Sequence, residues 1–177
     1  TPTNSAPVIA NIPLTATTSV SQSLGFSRTN PAPIGTTLTA QVTNDPIRGD
    51  YKFRIQLIEV IRGEEAWKII HSEPFNDPPT PGTEYILTKI RIDYLESTKP
   101  DTQYDINRLL FTAVSEKGKD YDSTKLLDPE PTIFAKLYPG ASSEGWITFQ
   151  VNIDDSHPLL AYQKDYYGRG GVWYKLY

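Results

Sequence analysis

Two histidines, a few closely spaced aspartates and a set of paired aromatics are the side chains here that could do chemistry. A hydrolase needs a nucleophile, a base and an acid that orients the base. His71 and His157 are the only histidines, and no Gly-x-Ser-x-Gly elbow presents a serine to either. His71 follows a short helical pattern and His157 precedes Pro158 in a turn, so both are expected as exposed loop residues. Oxygen ligands of the kind calcium prefers occur at Asp154-Asp155 with His157, and at Asp120-x-Asp122. Neither stretch has the glycine and distal glutamate of a calcium-binding loop, so solvated turn acids are expected, as at Asp101 and Asp105. No helix follows Gly168-Arg169-Gly170-Gly171 to receive a phosphate, and this stretch reads as a mobile or hairpin loop. No catalytic, cofactor-binding or metal site is therefore assigned. The aromatics Trp146, Tyr162, Tyr166, Tyr167 and Trp173 could form an exposed platform on which a sugar or a protein stacks, although aromatics also fill cores.

The elements that would carry these residues are strands. Ile86, Ile90, Ile92 and Tyr94 share one face of a run from Thr83 to Leu95, and Lys89, Arg91 and Asp93 share the other. Successive strand side chains point to opposite faces, so this alternation buries one side and wets the other. Tyr51, Phe53, Ile55 and Leu57 repeat the pattern until the phase slips at Leu57-Ile58, where a β-bulge is the natural reconciliation. Leu38, Ala40 and Val42 alternate within Thr36–Thr43, and Asn44-Asp45-Pro46 turns the chain. A short helix is expected between Gly63 and Ser72, with Glu64 and Glu65 at its N-terminus and Trp67 and Ile70 on one side.

Further along, Ile106–Val114 is apolar on both faces and reads as a central strand, followed by an exposed excursion from Ser115 to Asp128. Ile133, Ala135 and Leu137 begin another strand that Pro139-Gly140 ends. Ile147, Phe149, Val151 and Ile153 point inward from the next, with Trp146, Thr148, Gln150 and Asn152 outward, and Val172–Tyr177 supplies the last. About seven strands with one short helix give an all-β, immunoglobulin-like antiparallel β-sandwich over residues 31–177. A closed barrel is the lesser alternative.

Residues 1–30 form an N-terminal arm, rich in Ser and Thr and framed by Pro2, Pro7 and Pro13. Val8, Ala10, Ile12 and Leu14 alternate within it as an edge or donor strand would. Such an arm docks either on its own sandwich or on a neighbouring molecule. Addition of a strand to a second copy links subunits head to tail, and a link of that kind can propagate as a filament.

The totals bound the function. A chain of 177 residues buries roughly 70% of its unfolded surface, enough for a core without metal or disulfide. Net charge is −4 with basic residues scattered, which argues against nucleic acid and against anionic lipid. Cys is absent and no apolar run approaches the ~20 residues of a membrane span. Met is absent too, so Thr1 is expected to follow a cleaved leader or a trimmed boundary.

Several stretches together carry a family resemblance: Ser27-Arg28-Thr29-Asn30-Pro31-Ala32-Pro33-Ile34-Gly35, Glu65-Ala66-Trp67-Lys68-Ile69-Ile70, Phe75-Asn76-Asp77-Pro78-Pro79 through Gly82, Glu84-Tyr85-Ile86-Leu87, and Glu144-Gly145-Trp146. Over roughly residues 25–177 the chain resembles the telokin-like, immunoglobulin-fold domains of unknown function found in bacterial secreted proteins and surface lipoproteins. The resemblance implies an extracytoplasmic sandwich and lends no catalytic residues. The chain lacks the lipidated Cys of a lipoprotein. The expectation is a non-catalytic extracellular structural or interaction module that self-assembles through its arm. The alternative is a monomeric surface domain that binds a glycan or protein through loops and exposed aromatics.

Overall fold

The computed structural model describes residues 23–177. Its strands are β1 (Thr37–Asp45), β2 (Gly49–Arg62), β3 (Thr83–Ser97), β4 (Tyr104–Ile106), β5 (Phe111–Val114), β6 (Ala135–Leu137), β7 (Ser142–Asn152), β8 (Leu159–Tyr162) and β9 (Val172–Lys175). One helix, α1 (Gly63–Ile70), follows β2. The large sheet runs β1-β2-β3-β7, a smaller one runs β5-β8-β9, and β4 pairs with β6. Every pairing between named strands is antiparallel. The fold is an all-β sandwich.

One core lies between the sheets. Phe53, Ile55 and Leu57 of β2, Ile90 and Ile92 of β3, and Ile147 and Val151 of β7 meet Leu160, Val172 and Tyr174 of the smaller sheet. Burying each such side chain is worth roughly 1.5–3 kcal/mol, which makes this layer the main source of stability. The outer face of the large sheet is divided. Tyr85 and Leu87 lie beneath Ala66 and Ile70 of α1, whereas Asp93 further along the same face is buried by charge pairing. Arg54 Nε donates to Asp93 Oδ2 at 2.8 Å and Arg91 Nε donates to Oδ1 at 3.0 Å. Burial by itself raises the Asp93 pKa, but the two arginines outweigh it and hold the carboxyl below its usual range.

The expected bulge is present. Leu57 pairs with Ile90 and Glu59 with Lys89, leaving Ile58 as the extra residue. A second irregularity places Leu95 outside the ladder, since Phe53 faces Tyr94 and Lys52 faces Glu96. Helix α1 forms where expected.

Other expectations fail. Residues 106–114 do not make one central strand. The chain breaks into β4, a 3-10 turn at Arg108–Leu110 and β5. Asn107 caps that turn by accepting from Leu109 N, and Leu109 is left 90% exposed. Ile153 lies beyond the end of β7 and is 66% exposed rather than inward. The wholly buried β8, Leu159-Leu160-Ala161-Tyr162, was not expected at all, because a four-residue run apolar on both faces has no period to detect.

Two loop segments also join the sandwich. Ala32 bridges Tyr174 of β9 in parallel, and Gly25 O accepts from Trp173 N at 2.8 Å. Thr132 bridges Trp146 in parallel, so residues 131–133 cover the outer edge of β7. Gly145 makes that crossing possible: a Cβ there would come within 2.2 Å of the Thr132 carbonyl carbon. Gly145→Ala should therefore cost about 2 kcal/mol through displaced backbone, while Ile153→Ala should stay within about 0.5 kcal/mol of wild type. Urea midpoints measure both, and an unchanged midpoint for Gly145→Ala would contradict the crossing.

Candidate functional site

No ladder joins β5 to β7, and the segment after β5 bonds to both. This is the stretch expected as an exposed excursion, yet its last residue, Asp128, has a side chain only 2% exposed. Asp128 Oδ1 accepts from Thr148 N at 2.7 Å, and Oδ2 accepts from Arg108 Nη2. Arg108 Nη1 also donates to Thr148 O at 3.0 Å and to Thr124 Oγ1 at 3.2 Å. Asn76 holds the neighbouring residue from both sides, donating to Leu127 O and accepting from Leu127 N, each at 2.8 Å. No local pattern announces these contacts, since Arg108 and Asp128 stand twenty residues apart in sequence.

At its other end the same segment makes a turn against β5. Val114 bridges Asp120, and Tyr121 N donates to Ala113 O at 2.9 Å. Tyr121 Oη donates to Asp155 Oδ2 at 2.7 Å. Burial, reinforced by that carboxylate, pushes the Tyr121 pKa up to about 12. Asp155 is itself buried and accepts from Glu116 N and His157 N. Three adjoining clefts surround Tyr121. One of about 270 Å³ lies between Phe111 of β5 and Phe149 of β7. The next, about 360 Å³, lies between Thr80, Thr83 and Gln150 on one side and Lys119 and Asp122 on the other. The third, about 230 Å³, reaches Asp154 and Glu116. A lone tyrosine within a charged stretch is the one sequence signal for this place.

The histidines do not build a relay. His157 Nδ1 lies 2.9 Å from Ser156 Oγ and 3.3 Å from Glu116 Oε2, so hydroxyl and carboxylate compete for one ring nitrogen. A triad base takes them on opposite nitrogens. His71 stacks against Trp67 at 4.8 Å. Asp155 is committed to Tyr121, Asp120 pairs with Lys164 at 2.7 Å, and Asp105 accepts from Asn107. Asp101 is exposed. Among the described residues no three His, Asp or Glu side chains gather as a cation site.

The five aromatics do not form one platform. Tyr162 and Trp173 are buried, because β8 and β9 are covered on both faces. Tyr162 packs edge-on to Phe53 at 5.4 Å, and its hydroxyl bonds that of Tyr104. Gln163 Nε2 donates to Tyr104 Oη at 2.6 Å and to Tyr51 Oη at 3.2 Å. Trp146 is half-buried on the outer face of the large sheet, beneath the Lys89 ammonium at 5.8 Å.

Tyr166 and Tyr167 do stand out, 94% and 77% exposed, on the β8–β9 hairpin. Their rings are perpendicular at 5.4 Å, and the Arg169 guanidinium lies 5.2 Å from the Tyr167 ring. Asp165 braces the tip by accepting from Tyr167 N, Arg169 N and Arg169 Nε at 2.8–2.9 Å. Those bonds, first the one from Arg169 N, hold its carboxyl below the usual range. Gly171 at φ 73° closes the loop, where a Cβ would strike Tyr162 O at 2.6 Å. Val8, Ala10, Ile12 and Leu14 lie outside the described residues.

Comparison with known proteins adds the fold. No protein-family model matches the chain, and no curated protein does. A crystal structure of MPT63, a secreted protein of Mycobacterium tuberculosis, is similar with a TM-score of 0.53 and 13% identity, over 82% of this chain and 97% of that one. A candidate lipoprotein of Bacillus subtilis, ycdA, aligns over 70% of this chain with a TM-score of 0.48 and 11% identity. The match spans about a third of the ycdA chain, 35%. MPT63 thus shares the sandwich architecture, at an identity that speaks for fold alone.

Burial gives the site a spectroscopic signature. It raises the pKa values of Tyr51, Tyr85, Tyr104, Tyr121, Tyr162 and Tyr174. The folded chain then keeps protons that the unfolded chain releases. Stability from this source is intact below about pH 10 and falls as pH climbs through the raised values. Phenolate absorbance should show these six of the 11 tyrosines ionising later than in a urea-unfolded control. Coincident titration curves would contradict the buried network.

Proposed function

We propose that the chain is a non-catalytic binding module displayed outside the bacterial cytoplasm, of the telokin-like, immunoglobulin-fold kind that its sequence resembles. The observation that carries the reading is the tip of the β8–β9 hairpin. Two tyrosines and an arginine are held out of the core there, where they contribute nothing to packing, and Asp165 spends its bonds keeping them in place. Tyr and Arg dominate energetic hot spots at interfaces, and a braced loop loses little entropy on binding. The Lys164–Asp120 ion pair ties the hairpin to the segment that carries Tyr121. The secreted mycobacterial neighbour supports the extracytoplasmic setting. The exposed His157, with both partners on one nitrogen, supports the non-catalytic part.

The partner is a molecule of the cell exterior, and retention on cells tests this directly. Purified chain added to intact Bacillus and mycobacterial cells should be retained. A Tyr166→Ala/Tyr167→Ala double variant should be retained at least about tenfold more weakly, the loss typical of hot-spot aromatics. Equal retention of the variant, or no retention of wild type, would reject the reading.

Self-association through the arm is a second reading, favoured by a specific edge. Among the described residues, 128–133 cover the edge of β7, whereas β1 pairs with β2 alone. The chain enters the described structure beside β1, since Gly25 sits against Leu38. Val8, Ala10, Ile12 and Leu14 of one copy would then extend β1 of another, with backbone bonds giving affinity and alternate side chains giving register. Sedimentation velocity should show oligomers for the full chain and monomers for a chain beginning at Ser23. Identical profiles would remove the arm from assembly.

A further inference from the structure

We propose that the groove around Tyr121 binds a neutral oligosaccharide. This rests on the binding-module reading and names its partner class. The groove consists of the three clefts that share the Tyr121 ring. Its shape is set before any ligand arrives: the Asp155 carboxylate holds the Tyr121 hydroxyl, and the part-buried Arg108–Asp128 pair anchors the segment that forms one wall.

The lining selects the class. In the central cleft the walls are hydroxyls from Thr80, Thr83 and Ser115, the amides of Gln150 and Asn152, the Tyr121 ring, one ammonium and two carboxylates. Gln150 Nε2 donates to Thr80 Oγ1 at 2.9 Å and to Thr83 Oγ1 at 2.7 Å, which fixes the plane of its amide. Such a wall alternates donors with acceptors, and the groups that match it are hydroxyls, each of which both donates and accepts. In the central cleft Lys119 offsets Asp122 and Lys164 pairs with Asp120, while further along Glu116, Asp154 and Asp155 outnumber Lys117, so the groove is slightly acidic. An anionic ligand would find no field to hold it.

Other occupants fit less well. A peptide adding to a sheet reads an open strand edge, but the edge of β5 beside the groove is already taken by the Val114–Asp120 bridge and the Tyr121 N to Ala113 O bond. A cation lacks ligands, since no cluster of three forms among the described residues. An apolar ligand would meet Phe111 and Phe149 at one end and polar groups along the remainder. A sugar chain uses both kinds of wall, its hydroxyl edges toward the polar groups and its C–H faces toward the tyrosine ring and the apolar end.

The test is titration of the 15N-labelled chain with chitotetraose, cellotetraose and maltotetraose, followed by amide chemical shifts. At least one should shift amides lining the groove saturably. Gln150→Ala and the exposed Asp122→Ala should each raise its Kd roughly threefold to tenfold, the worth of a neutral hydrogen bond or two, while amides away from the groove keep their positions and so report an intact fold. Silence from all three sugars, or binding indifferent to both substitutions, overturns the proposal. The two readings fail separately. Loss of cell retention by the tip variant with no sugar bound in the groove leaves the module and removes the oligosaccharide. Sugar bound in the groove with the tip variant still retained on cells does the reverse to the hairpin.

Discussion

A part-buried ion pair between Arg108 and Asp128 pins the segment after β5 against β7. The pair costs desolvation, and it is tolerated because every strong partner is supplied: Asp128 also accepts from Thr148 N, and Arg108 also donates to Thr148 O. Removing one member of a buried pair typically costs ~3–5 kcal/mol, because the survivor is left charged and dry. That figure is a large share of a domain's net stability of ~5–15 kcal/mol. The segment that carries Asp128 is therefore held as firmly as a strand although it forms none. Its two ends do different work: one packs beside β7, and the other holds the half-buried Tyr121 against Asp155.

The same economy governs the polar groups elsewhere. Tyr104, Tyr162, Tyr51 and Gln163 bury hydroxyls and an amide between the sheets by bonding one another, with the Arg48 guanidinium about 5 Å from two of the rings. Low dielectric strengthens such a network when its members are partnered and penalises it when they are not. Burial therefore raises the pKa values of these tyrosines and keeps them neutral. At the β8–β9 hairpin the arrangement is inverted. There a solvated aspartate is spent on bracing a loop, and the aromatics are kept out of the core. Rigid sheets carrying braced loops suit the binding role proposed above.

Much of this was legible from residue order. Period-two alternation located β1, β2, β3 and β7. The phase slip at Leu57-Ile58 located the bulge, and the Glu64-Glu65 pair ahead of Trp67 and Ile70 located α1. These signals are local, since each follows from geometry within about ten residues and needs no knowledge of what lies opposite.

Only the tertiary structure decided the remainder. Whether Tyr162 and Trp173 face water or core depends on what covers the smaller sheet, which residue order along β8 and β9 does not contain. Apolar character on both faces of 106–114 suggested one strand, but Asn107 capped a turn instead and put Leu109 into solvent. The partners of Asp128 lie twenty residues away in sequence at Arg108 and Thr148, and the partner of Tyr121 lies thirty-four away at Asp155. Alternation along a strand is written in consecutive residues. The pinning of the segment after β5, and with it the groove, is written in pairs that meet only once the sheets have packed.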